Sequence, residues 1–411
     1  MRTEARRRAR RPRPALPTAA VLTAALAVGA TAAPTFAADR TAHRGEIVSV
    51  TQVQQLSPQA AAAQIAERGY TGTAPEYGVD HYRVVYRTVD PQGRPTTASG
   101  LVSLPETDRR ALHVVVFDHG TMAIRTETAS VDESQRGDTS IFAAAGYATV
   151  APDYLGLGLG PGPHPYDDLA SETTATVDLL HAARQVARDH GHRLDRGVQV
   201  TGFSQGGPAA MALGKALQEG GVPHFDLAGL APYSGPYDGQ HAELPAALDG
   251  TLRGVDANYF LAYWLVAMNR TYHLYDDPAE LFQQPYAQRI ESLYDGTHSD
   301  AEIFGELPAT PQQLLTPHAI VWAQHPTGAL LAALTDNDDS CSSWTPRVPV
   351  HLFAADGDKD VAYLDSVHCA QQLTADGARV TLTDLGPIEH SPSRVAAMPK
   401  VLALFRQNLP A

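Results

Sequence analysis

The sequence predicts an α/β fold: a mostly parallel central sheet flanked by helices, with an inserted helical cap. Three observations carry this. Short apolar runs alternate with helical stretches from Leu112 to Tyr233, the alternation stops after Tyr237 and it resumes at Val348. The third is the stretch Val198 to Gly207, which reads as a strand running through a tight glycine turn into a helix. Strands alternating with helices wind a parallel sheet through crossovers.

The chain opens with arginines between Arg2 and Arg13, then an Ala, Val and Leu-rich run from Pro14 to Pro34, then small residues at Thr35 and Ala37. This is the pattern of a signal peptide over residues 1 to 37; the apolar run contains Pro17 and Gly29 and is short for a membrane span. The expected product is secreted, with no integral membrane segment once the leader is removed. The leader holds seven arginines against one glutamate, so its removal takes the formal charge from −14 to −20. Such an acidic surface repels phosphate backbones and argues against nucleic-acid partners. About 370 residues remain, more than one core usually holds, which calls for a main unit carrying an insertion. The expected division is 38–238 for the first part of the sheet unit, 239–347 for the cap and 348–411 for its second part.

Ile47 to Val53 is a short β-like run, and Ser57-Pro58 opens a helix through Glu67, a serine cap with proline in the first turn. The runs from His81 to Val89 and from Thr96 to Leu104 flank Asp90 to Arg94 as a hairpin. Leu112 to Phe117 is continuously apolar, as a central strand buried on both faces should be. A helix from Ser140 to Ala145, a strand from Ala148 to Ala151 and a helix from Thr174 to Asp189 follow. After the strand from Val198 comes a helix over Pro208 to Leu217, then a strand from Leu227 to Tyr233.

The insertion reads as helices, for instance Ala257 to Tyr272 and Pro278 to Leu293, and carries Trp264, Trp322 and Trp344 with Tyr259, Phe260 and Tyr263. Aromatics concentrated there suggest a cap that walls an apolar pocket. Beyond it come a strand from Val348 to Ala354, a helix from Tyr363 to Leu373, a strand from Ala378 to Thr383, and a loop over Gly386 to Ser393 before the last helix. The two cysteines, Cys341 and Cys369, sit in a chain whose leader directs it to an oxidising space, so they are expected to pair.

Gly202-Phe-Ser204-Gln-Gly206 fits G-x-S-x-G, the turn that lifts a serine hydroxyl off a strand end while glycines let neighbouring backbone pass. A serine hydroxyl needs a base to take its proton and a carboxylate to hold the base's tautomer. Downstream strand ends deliver Ala355-Asp-Gly-Asp-Lys-Asp-Val361 and then His390, in the chain order Ser, Asp, His.

At these residues the chain resembles the α/β-hydrolase superfamily, and within it the secretory lipase family. The resemblance runs from about Arg83 to the C-terminus on four motifs: Asp118 to Thr121; Pro152 to Gly158 with His164-Pro-Tyr166; the serine turn; and the Asp and His loops. It implies Ser204 as nucleophile, His390 as general base and Asp358 as acid. The family's G-x-x-D-x-x-V appears here with Ala355 in place of glycine, and Asp356 and Asp360 compete with Asp358 for the role. The oxyanion donors implied are the backbone N–H groups of Gln205 and Thr121.

His119 is read as shaping the oxyanion loop and His190-Gly-His192 as helix-end polarity rather than a metal pair. Asp356 to Asp360 imitates the start of a calcium loop but has Val361 and Val367 where glycine and glutamate belong, so no metal is expected. Gly156 to Gly160 suggests a dinucleotide loop, but Pro161 and Pro163 stand where a helix should begin, and no cofactor is expected. The expected activity is a monomer's, hydrolysing carboxylic esters of small molecules or lipids through an acyl-enzyme. A serine peptidase on the same fold, and an inactive binding module, are the alternatives.

Overall fold

The computed structural model describes residues 43 to 407, and the expected leader falls outside them. Nine strands form one sheet: β1 Ile47–Leu56, β2 Val79–Val89, β3 Pro95–Pro105, β4 Ala111–Asp118, β5 Ala148–Pro152, β6 Arg193–Gly202, β7 Asp226–Leu230, β8 Val350–Ala354 and β9 Val380–Asp384. Their order across the sheet is β1-β2-β3-β5-β4-β6-β7-β8-β9. The three pairings on the β1 side are antiparallel, and the five from β5 to β9 are parallel. The five loops carrying the sequence motifs therefore leave the C-terminal ends of strands in the parallel part of the sheet, where open α/β sheets place their ligands.

Helices cover both faces. β4 shows why: Val114 and Val116 join the cluster under α3 (Leu169–Asp189) and α4 (Gly206–Gln218), whereas Val115 and Phe117 join the opposite cluster. That second cluster lies under α1 (Pro58–Glu67) and α2 (Gly137–Ala143). A strand buried on both faces needs no polar side, which is why its sequence is a continuous apolar run. The start of α3 lies five residues earlier than the sequence indicated, because Asp168 Oδ1 accepts the Ser171 N–H at 2.8 Å and caps a turn in which the polar Ser171 and Glu172 are buried.

Between β7 and β8 the chain is helical, with α5 (Gly254–Tyr272) and α6 (Gly328–Asp338) as its longest helices. Its apolar side chains cluster with one another and with Ala123 and Tyr166. The single helix expected over Pro278 to Leu293 is instead three separate turns, Pro278–Glu280, Tyr286–Gln288 and Ile290–Leu293. Pro285 lies in the middle, where it supplies no N–H and its ring blocks the preceding turn. The expected pocket aromatics also divide. Trp264 reaches the cavity beside Ser204, Trp322 packs on the insertion's own cluster, and Trp344 is buried against the main sheet, its Nε1–H donating to Ser340 O at 2.9 Å.

After β8 come α7 (Tyr363–Ala375), β9 and α8 (His390–Gln407). His390 is the first residue of α8, whereas the sequence placed it in the preceding loop. Glu389 O accepts the Ser393 N–H at 3.0 Å and so closes the first turn around it, a cue that a proline-flanked stretch hides. One ion pair then anchors that helix, the buried Asp138 carboxylate on α2 accepting Arg394 Nη1 at 2.8 Å, and the same carboxylate accepts Arg68 Nη2, just past α1, at 2.6 Å.

Cys341, just past α6, and Cys369 on α7 are joined in a disulfide, both buried. The bond ties the return of the insertion to the helix that follows the Asp358 loop. Its sequence separation of 28 implies a stabilisation of about 3 to 4 kcal/mol through the unfolded chain. Replacing both cysteines by serine is expected to lower the free energy of unfolding in urea by that amount, and an unchanged midpoint would show that the crosslink contributes nothing.

Candidate active site

Ser204 stands two residues beyond the end of β6, with φ at 56°. A non-glycine residue in the left-handed region is strained, and the flanking glycines are what make the turn buildable. A Cβ on Gly206 would lie 2.0 Å from Asp118 O, and one on Gly202 would lie 1.9 Å from Gly206 O. Backbone against backbone cannot yield, so both positions exclude any side chain.

The structure brings three of the sequence-predicted residues together. His390 Nε2 lies 2.8 Å from Ser204 Oγ, and His390 Nδ1 lies 2.7 Å from Asp358 Oδ2. The other carboxylate oxygen, Asp358 Oδ1, accepts the N–H groups of Asp360 (2.9 Å) and Val361 (3.0 Å), which fixes the carboxylate plane. Of the competing aspartates, Asp356 is exposed and Asp360 lies 3.6 Å from Arg253 Nη1. Neither bonds the imidazole. The ring also stacks on Phe203 at 4.6 Å, so its orientation is held from the face as well as the edge.

Burial pulls the His390 imidazole down, but the hydrogen bond and charge of Asp358, with the charges of Asp360 and Glu243, overcome it and the net shift is upward from 6.5. With Asp358 accepting from Nδ1, Nε2 of the neutral ring faces Ser204 as an acceptor.

The N–H groups of Thr121 and Gln205 have no protein acceptor among the described residues. Thr121 Oγ1 bonds the Tyr166 hydroxyl at 2.9 Å, so its side chain is occupied elsewhere. Gln205 is held from behind by residues that the sequence singled out only as motif positions or not at all. Burial drives His164 down to about 3, so it is neutral; its Nδ1–H donates to Leu155 O at 2.8 Å, leaving Nε2 to accept from Gln205 Nε2 at 2.9 Å. The second Gln205 amide hydrogen goes to Glu172 Oε1 at 2.6 Å. Burial, reinforced by the charge of Asp167, raises Glu172 well above the carboxylate range and keeps it protonated. His119 is buried, its Nδ1 2.7 Å from Gly120 O, and makes no hydrogen bond to Ser204 or His390. Among the described residues no group of His, Cys, Asp and Glu could hold a metal ion.

A cavity opens beside Ser204, walled by Leu244, Phe260, Leu261, Trp264 and Val361. Its polar members are Tyr166, Asp167, Glu243, Asn337 and Asp360. Asp167 and Glu243 come from the loop before α3 and from the start of the insertion, and no spacing in the sequence joins them.

No protein-family model matches the chain, and no curated protein sequence matches it. Solved structures do. The rice cell wall degrading esterase LipA from Xanthomonas oryzae is 26% identical with a TM-score of 0.79, over 89% of this chain and 98% of that one. A Legionella pneumophila protein whose hydrolase assignment is provisional is 24% identical with a TM-score of 0.81, over 88% and 98%. Candida antarctica lipase A in its closed state is 14% identical with a TM-score of 0.63, over 89% and 82%. The chain has the α/β-hydrolase fold, and its likeness to the Xanthomonas enzyme supports hydrolytic activity.

The His390 ring is expected to titrate above pH 6.5 by NMR, and Asp358→Asn to bring that midpoint down by about one pH unit or more. A midpoint that does not move in Asp358→Asn would mean that the carboxylate does not set the ring's charge.

Proposed function

We propose that the protein is an exported serine esterase that cleaves carboxylic esters of hydrophobic character through an acyl-enzyme. The observation that carries this reading is the chain of two short hydrogen bonds, Ser204 Oγ to His390 Nε2 and His390 Nδ1 to Asp358 Oδ2, hung on a left-handed serine turn. In this reading Ser204 Oγ attacks the ester carbonyl as His390 Nε2 takes its proton, and Asp358 stabilises the imidazolium without being protonated itself. The tetrahedral oxyanion turns toward the free N–H groups of Thr121 and Gln205. His390 then passes the proton to the departing alcohol, and a water activated by the same nitrogen releases the acid and restores Ser204.

The segment from 239 to 347 would act as a cap, since Leu244, Leu261 and Trp264 lie on it and wall the cavity. An apolar wall beside the nucleophile suits an acyl chain or a bulky alcohol. Export is supported by the buried disulfide. A serine peptidase would use the same three groups, and the carboxyls in the cavity wall are the observation in its favour; comparing a p-nitrophenyl ester with an aminoacyl anilide separates the two.

Ser204→Ala and His390→Ala are each expected to lower ester turnover by several orders of magnitude, with similar losses because the residues act as one unit. Asp358→Asn should cost far more than Asp356→Asn or Asp360→Asn. Near-normal turnover in Ser204→Ala would end this reading, and Asp360→Asn as the worst of the three would move the acid to Asp360.

A further inference from the structure

The cavity beside Ser204 has an unusual charge balance. Three of its lining residues, Asp167, Glu243 and Asp360, are acids, and among the described residues that line it there is no lysine, arginine or histidine. Asp167 is only 4% exposed, and its Oδ1 has no hydrogen-bond partner. A carboxyl buried in that condition is costly unless something supplies a donor or a positive charge. Asp360 Oδ1 also lacks a hydrogen bond, but Arg253 Nη1 lies 3.6 Å from it, so Asp167 is the acid without a compensating partner. Phe260 and Trp264 complete the same wall.

We infer that this cavity is a subsite for a substrate end bearing a primary ammonium group, which the Asp167 and Glu243 carboxylates hold against the aromatic wall. The inference rests on the ester-hydrolase reading and narrows its substrate class. An ammonium supplies three hydrogens and a positive charge, so it satisfies the free Asp167 oxygen and can lie over an aromatic face. The apolar lining passes the methylene stem between that charge and the ester. A bound metal fits less well, because the three acids form no group that could hold one. Burial, with the charge of Glu243 added, pushes Asp167 up to about 7, and burial, against hydrogen bonds from Asp365 and the Ala362 N–H, pushes Glu243 up to about 7. A cation arriving between them favours the ionised forms of both.

Glu243 and Asp360 also act on the charge of His390, whereas Asp167 is not among the groups that do, so Asp167 separates substrate recognition from tuning of the base. The test compares esters of matched length with the full-length protein. On the acyl side, the butyl ester of ε-aminocaproic acid is set against butyl heptanoate and the ε-hydroxy analogue; on the alcohol side, ω-aminohexyl acetate is set against heptyl acetate. In at least one pair the wild type should favour the ammonium ester by about tenfold in kcat/KM, and should rank it above the hydroxy analogue. Asp167→Asn should reduce that preference by about tenfold, with Glu243→Gln as a second variant should the first not fold.

Ratios near or below one in both pairs, a hydroxy analogue that does as well, or a preference untouched by both variants would overturn the subsite. Butyl heptanoate turnover and labelling of Ser204 by a fluorophosphonate probe monitor the underlying reading separately. If both are intact while the ammonium preference is absent, only the subsite falls. If both are absent, the esterase reading falls and takes the subsite with it.

Discussion

The imidazole of His390 is the point on which the rest of the site depends. It must reach Ser204, 186 residues earlier in the chain, and Asp358, 32 residues earlier, with both contacts under 3 Å. Neither contact is local, so their precision comes from the sheet. β6, β8 and β9 are parallel neighbours or near neighbours, and their C-terminal ends start the segments leading to Ser204, Asp358 and His390. α8 then sets the ring's height. Its Arg394 is pinned by Asp138, while its Ser393 Oγ donates to His390 O at 2.6 Å and meets Ser234 Oγ at 2.7 Å. These contacts fix the ring on rigid elements, which is what proton transfer over one hydrogen bond requires.

Two buried acids of the site differ in their hydrogen-bond partners. Asp358 has two backbone donors and the imidazole as partners. Glu172, beneath Gln205, has only the side-chain amide and lies among other acids, so it is held neutral. A protonated acid and a neutral His164 together orient Gln205, and thereby the backbone that follows Ser204. Asp167 lacks even an amide partner on Oδ1, and so stands ready for a group from outside.

Much of this was legible in the sequence, for physical reasons that differ by element. β4 announced itself because a strand buried on both faces has no polar periodicity to hide it. The serine turn was legible because only glycine tolerates the contacts at 202 and 206, and the order Ser, Asp, His follows from strand succession. Local cues failed where tertiary partners decide the outcome. Asp168 caps α3 five residues ahead of the apolar pattern, and Pro285 divides a stretch whose composition alone favours helix. Asp358 was distinguishable from Asp360 only through the imidazole it meets. Trp344 looked like its neighbours in the insertion, yet it packs on the main sheet beside the disulfide that carries the chain back to it. The joining of Asp167 to Glu243 across one cavity leaves no trace in sequence spacing.

In the proposed reading, His390 makes Ser204 a nucleophile. The most direct measurement of this is rapid quenching of the reaction with a slowly deacylating p-nitrophenyl ester, followed by peptide mass spectrometry. The expected result is the acyl mass on the peptide bearing Ser204 in the wild type, and its loss in His390→Ala. Turnover with no adduct on that peptide, or an adduct that forms as fast in His390→Ala, would contradict it.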